Sequence, residues 1–133
     1  MADDFSEVMQ LAADLEAGSD TLSGYVRKAV QVTSNRVKKD AQDSVKGRKG
    51  LGHASNAITY DTSESSSGVA AEIGYDKGRS AGALGNLIEF GGPNAGNQLS
   101  PSHDLGNALL NNEDDFVDGL GKAVADSLRD VNL

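Results

Sequence analysis

Hydrophobic and polar positions follow three rhythms along this chain. The longest is helical. In "SDTLSGYVRKAVQVTSNRVKKDAQDSVKGRKG", Leu22, Val26, Ala29, Val30, Thr33, Val37, Ala41 and Val45 recur every three or four residues, the spacing of one helix face. Ser19 or Asp20 caps the start and Gly47 ends it, which predicts about 26 residues, or ~39 Å at 1.5 Å per residue. A second helical rhythm closes the chain. Phe116, Val117, Leu120, Ala123, Val124, Leu128 and Val131 form a stripe, preceded by Glu113 to Asp115, acids that suit a helix N-terminus. Gly119 and Gly121 lie inside it and weaken it by up to ~1 kcal/mol each relative to Ala unless a neighbour needs the space.

Between these helices the rhythm changes. Ala57 to Asp61 and Val69 to Tyr75 are rich in β-formers such as Ile58, Tyr60, Ile73 and Tyr75, and they predict a hairpin with a polar link, "TSESSSG", longer than a tight turn. A lone hairpin is marginal, so it must pack on the long helix or pair with another chain. Leu84, Leu87 and Ile88 then predict a short helix ended by Gly91. Residues 91–103, rich in Gly, Asn, Ser and Pro, predict a flexible loop or arm, since structureless stretches of that length are usually functional. At the other end, "DDFSEVMQLAADLEAG" predicts a short N-terminal helix within 1–18. Asp4 and Glu7 stand at capping-box spacing, with Phe5, Val8, Met9, Ala12 and Leu15 on one face and Gly18 as the stop.

The order predicts an α+β fold: a long N-terminal helix packed on a small antiparallel sheet, with a short helix, a glycine-rich loop and a C-terminal helix. At 133 residues the chain fits a single domain over 1–133. Only 5% of residues are aromatic, so Ala and Val must fill much of a thin core, and such a subunit gains from association.

Charge is unevenly placed. The net charge is −8, yet eight of the twelve bases (Arg27, Lys28, Arg36, Lys38, Lys39, Lys46, Arg48 and Lys49) fall between two acidic ends. That segment reads in two ways: as a face for DNA or an acidic partner, or as a solvated helix face with pairing inside the fold. With Tyr25 the only aromatic nearby, any DNA contact is electrostatic and non-specific.

Little else carries chemistry. With no cysteine, disulfides and thiolate metal sites are excluded. His53 and His103 each stand alone in loop-like segments, without the second ligand a zinc site needs. Ser63, Ser65, Ser66 and Ser67 lack a nucleophile elbow. Gly78, Gly82 and Gly85 lack the Lys-Ser/Thr of a phosphate loop, and close packing around the short helix is the better use for them. The acids Glu113, Asp114, Asp115 and Asp118 lack calcium-loop spacing. The expectation is a non-enzyme with no cofactor and no metal. No run approaches the ~20 apolar residues of a membrane span, and the acidic start, "MADDFSEV", lacks a signal-peptide pattern.

The stretch "VAAEIGYDKGRSAGALGNLIEFGGPN" resembles the small neck proteins of long-tailed bacteriophages, the siphophage tail-completion or head–tail joining family. The resemblance rests on Ile73-Gly74, on Leu87-Ile88-Glu89-Phe90-Gly91 and on Asn107-Ala108-Leu109, and on the order of elements over roughly residues 8 to 128. Many relatives carry a Pro-Phe-Leu-Arg-Pro-Ala type segment after the loop; this chain has "SPSHDLGNAL", without an aromatic or an Arg. The resemblance implies a structural virion protein, a homo-oligomeric ring of six at the head–tail junction. Its partners would be the tail tube, terminator and head connector proteins, with transient contact to genomic DNA as a further reading. It would reside in the virion neck, and in the host cytoplasm during assembly. A tail terminator ring capping the tube is similar in size and fold and stays open as an alternative. A non-specific DNA-contacting module using 27–49 is another. Leu84, Leu87, Ile88 and Phe90 then serve as a plug, docked on the core or a neighbour. Leu87, Ile88, Phe90, Gly91, Gly92, Asn94 and Leu99 form the expected subunit or partner interface.

Overall fold

A computed structural model describes residues 9–14, 20–48, 50, 52–65, 68–79, 82–94 and 96–131. The long apolar stripe builds α1, Asp20–Lys46, 27 residues long. Val26, Val30, Thr33, Val37, Ala41 and Val45 are buried along one side of it, as the three-to-four spacing requires. A 3-10 turn over Gly52–Ala57 then delivers the chain to β2, Ile58–Ser65. It returns as β3, Gly68–Tyr75, antiparallel to β2 with Ile58 opposite Tyr75 and Ser65 opposite Gly68. Both strands outrun the expected hairpin, and only 66–67 separate them, so the link is short. Polar composition hid the outer half of β2: Asp61 to Ser65 are exposed and show no apolar alternation.

A third strand corrects the expected N-terminal helix. Residues Met9–Asp14 form β1, antiparallel to β3 with Met9 opposite Ile73 and Asp14 opposite Gly68. The sheet is thus three-stranded, in the order β1-β3-β2. Ala, Leu and Met favour a helix in isolation, but pairing with the central strand overrides a weak local propensity. The remainder of the expected helix, residues 1–8 and 15–18, lies outside the described residues.

One sheet face packs on α1. Val69, Ala71, Ile73 and Tyr75 alternate inward from β3, joined by Ile58 from β2, and all are buried. Fully burying each Val or Ile of this layer contributes about 1.5–3 kcal/mol, so the layer is a main source of cohesion. The short helix α2, Gly85–Phe90, follows a 3-10 turn over Gly82–Leu84. The segment expected to be a flexible loop or arm contains a small hairpin. Its strands are β4, Gly92–Asn94, and β5, Asn97–Leu99, paired antiparallel with Gly92 opposite Leu99.

The C-terminal part holds two helices, not one. α3 spans Asp104–Asn111 and α4 spans Glu113–Val131, and both pack against α1. Asn112 makes the joint. Its side-chain amide donates to the Asp40 carboxylate on α1 and to the Ala108 carbonyl, both at 2.8 Å. The α+β architecture is as the hydrophobic pattern indicates, with α1 as the central element.

Candidate interaction surfaces

The expected plug and arm are built around α2. Gly85 opens this helix against the face of Tyr75, so closely that any Cβ would run into the ring. Close packing is what this glycine provides. Ile88 is buried in the core and Leu84 packs against it. Leu87 is half-buried. Phe90 points the other way and is 43% exposed. The plug therefore divides: Leu84 and Ile88 dock, while Phe90 faces outward.

Gly91 turns the chain with φ 77°, and its N–H donates to the Leu87 carbonyl at 2.8 Å. A side chain there would meet the Leu99 carbonyl and Pro101. Gly92 (φ 140°) begins the hairpin, Asn94 lies in β4 and Leu99 in β5. All seven expected interface residues thus fall in α2 and the turn and hairpin that follow it. The hairpin is fastened back onto α2: Ser102 N–H donates to the Ile88 carbonyl at 3.0 Å and His103 N–H to the Glu89 carbonyl at 3.1 Å.

The motif's central acid, Glu89, is buried, with 1% of its surface exposed. Its carboxylate accepts from Leu105 N–H at 2.8 Å and Gly106 N–H at 3.1 Å. These amides open α3 and have no partner within the helix. The residue before α3, His103, adopts a left-handed conformation (φ 54°) and makes no side-chain cap. Glu89 supplies that cap from another helix, where the dipole favours a negative charge. Beside it, Arg48 donates through Nε and Nη2 to both oxygens of Asp104, at 2.7 and 2.8 Å. This hydrogen-bonded fork, reinforced by the carboxylate's charge, raises the Arg48 pKa above its ordinary value. The two acids and one arginine latch α2, α3 and the end of α1 together. Both oxygens of each acid are engaged, which suits support rather than proton transfer.

The bases of the segment differ in what they face. Arg27 pairs with Glu64 on β2 at 2.8 Å, and Arg36 approaches Asp115 on α4 at 3.8 Å. Arg48 holds Asp104. Lys38 sits 5.9 Å over the Tyr60 ring, within cation–π range. Lys28, Lys39 and Lys46 are exposed along α1, and Lys49 lies outside the described residues. All three arginines of the segment pair with carboxylates of the same chain while staying partly exposed.

The C-terminal stripe also divides. Phe116, Ala123 and Ser127 are buried. Val117, Val124 and Leu128 are 60%, 37% and 59% exposed, and Leu110 of α3 is 66% exposed. Between α1 and α4 runs an open groove of about 330 Å³, lined by Tyr25, Val32, Arg36, Gly119, Lys122 and Asp126 among others. Among the described residues no three His, Asp or Glu gather where they could hold a metal ion, and no helix is long and apolar enough to cross a membrane.

Comparison with known protein families, curated proteins and solved structures finds no match for this chain. Sequence reasoning missed the roles of Asp104 and Asn112 and the capping function of Glu89. An acid set inside the apolar run Leu87-Ile88-Glu89-Phe90 was the available signal; its partners lie sixteen and seventeen residues on, beyond local patterns.

Proposed function

We propose that this chain is a structural virion subunit of a long-tailed bacteriophage, assembling as a ring of six at the head–tail junction. One observation carries the reading. The folded chain leaves large apolar side chains uncovered on three of its helices, Phe90 on α2, Leu110 on α3, and Val117 and Leu128 on α4, and the β4–β5 hairpin follows directly after Phe90. Such a subunit is completed by neighbours. Support also comes from the order of elements. The long helix, the strand carrying Ile73-Gly74, the short helix closing on Glu89-Phe90-Gly91 and the alanine-leucine helix follow in the sequence that the family resemblance implies. On this reading the β4–β5 hairpin and Phe90 meet the adjoining ring or the next subunit, and the tail tube, terminator and connector proteins are the partners. A tail terminator ring shares these features and is the nearest alternative.

The test is imaging of phage tails assembled with and without this chain. Loss of head-competent tails, restored by adding purified protein, is expected for a tail-completion role. Tails of uncontrolled length would point to the terminator role instead. Normal tails that join heads without the protein would reject both.

A further inference from the structure

The apolar arc of α4 is wider than the helix it packs on. At about 100° per residue, Ala123, Phe116, Ser127 and Leu120 cover roughly 60° of the circumference, and Val124, Val117, Leu128 and Gly121 extend it by about another 100°. The first set faces α1, with Phe116, Ala123 and Ser127 buried and Leu120 partly so. The second set stands out: Val117 and Leu128 are more than half exposed, and a Cβ at Gly121 would meet nothing within 4 Å. Residues 117, 121, 124 and 128 are spaced four, three and four apart, the seam spacing of paired helices.

We propose that this outward seam pairs with the same seam of a second copy of the chain, antiparallel across a two-fold axis near residues 122 and 123. Charge complementarity selects the occupant. The free flank of the seam carries Asp114 and Asp118 at its start and Arg129 at its end. In the antiparallel pair, Arg129 falls beside Asp114 and Asp118 of the partner subunit, and the reciprocal contact forms at the other end. A parallel pair would turn this flank toward the opposite flank of the partner, where Asp114 meets Glu113 of the partner subunit and Arg129 meets no acid, and flanking charges of this kind decide helix orientation. Size agrees as well. Val117 meets Leu128 of the partner subunit, and the gap at Gly121 receives Val124 of the partner subunit, small against large. Arg129 already bonds Asp126 of its own helix at 2.7 Å, an exposed pair that surrenders the guanidinium at little cost. The seam is only about 18 Å long, so the buried area falls below that of a stable dimer, and the pair exchanges. A two-fold contact cannot close a cyclic ring, so this inference goes beyond the ring reading: it claims Val117 and Leu128 for the pair and leaves Phe90 and the β4–β5 hairpin to the ring, and either can fail without the other.

The chain contains no cysteine, which makes single-cysteine variants unambiguous. Sedimentation of the full chain is expected to show a monomer–dimer equilibrium. Val117→Cys mixed with Leu128→Cys is expected to cross-link under mild oxidation. Leu128→Cys alone is not, because its two copies would sit about 17 Å apart along the axis. Arg129→Glu is expected to weaken dimerisation about tenfold, and mixing it with Asp114→Lys/Asp118→Lys to restore it. Self-cross-linking of Leu128→Cys as readily as the mixture would overturn the antiparallel pairing. A chain that stays monomeric at high concentration, or dimerises equally well as Val117→Asp/Leu128→Asp, would overturn the seam itself.

Discussion

The carboxylate of Glu89 caps a helix it does not belong to, receiving the Leu105 amide at 2.8 Å. The neighbouring Gly106 amide reaches its other oxygen. Glu89→Ala leaves both donors facing a void. A loss of about 2–3 kcal/mol is expected from two charge-assisted bonds at a buried site. Glu89→Gln keeps one acceptor and loses less. Urea denaturation measures both, and an unchanged midpoint for Glu89→Ala would contradict the capping role.

The fork between Arg48 and Asp104 joins a buried acid to a partly open arginine. Arg48→Lys keeps the charge but not the paired donors. About 1 kcal/mol is expected for that change, lowered by the solvent around the arginine. A double-mutant cycle with Asp104→Asn reads the coupling directly. Additive single effects would mean that the fork contributes nothing.

Two helical glycines respond oppositely to alanine. At Gly85 the new methyl meets the Tyr75 ring, and a loss of about 1–3 kcal/mol is expected from overpacking. At Gly121 the space is open, and a gain of up to ~1 kcal/mol is expected from helix propensity alone. Thermal melts of the two variants should move in opposite directions.

Ile88 and Phe90 belong to one short helix but face different surroundings. Ile88→Ala removes a core side chain and is expected to cost about 2–4 kcal/mol. Phe90→Ser leaves the core intact and is expected to change stability by less than about 1 kcal/mol, and, on the proposed ring reading, to reduce incorporation into tails. Comparable destabilisation by both would place Phe90 in the core and remove it from the proposed interface.

Legibility in the sequence followed the range of the interactions involved. Val26, Val30, Val37, Ala41 and Val45 bury at helical spacing, so α1 could be read directly, as could Ile58, Ile73 and Tyr75 at the inner half of the hairpin. The strand Met9–Asp14 could not. Its residues suit a helix, and only the central strand, some sixty residues away, makes it extended. The helix Asp104–Asn111 was hidden because its cap comes from Glu89 and its anchor from Arg48. Of the expected interface, Ile88 turned inward and Phe90 outward, a division set by which side of a six-residue helix the core reaches.

Arg27, Arg36 and Arg48 fasten the central helix to β2, α4 and α3 in turn, while twenty acids outnumber twelve bases overall. Ionic strength therefore acts on this molecule from two sides. Electrolyte loosens the open pairs at Arg27 and Arg36, each worth under about 1 kcal/mol. It also relieves the repulsion of a net charge of −8, and the sheltered fork at Arg48 is screened least. Rising salt thus strips the outer ties before the inner one, and what yields first is the grip of the helix on the outer half of its edge strand.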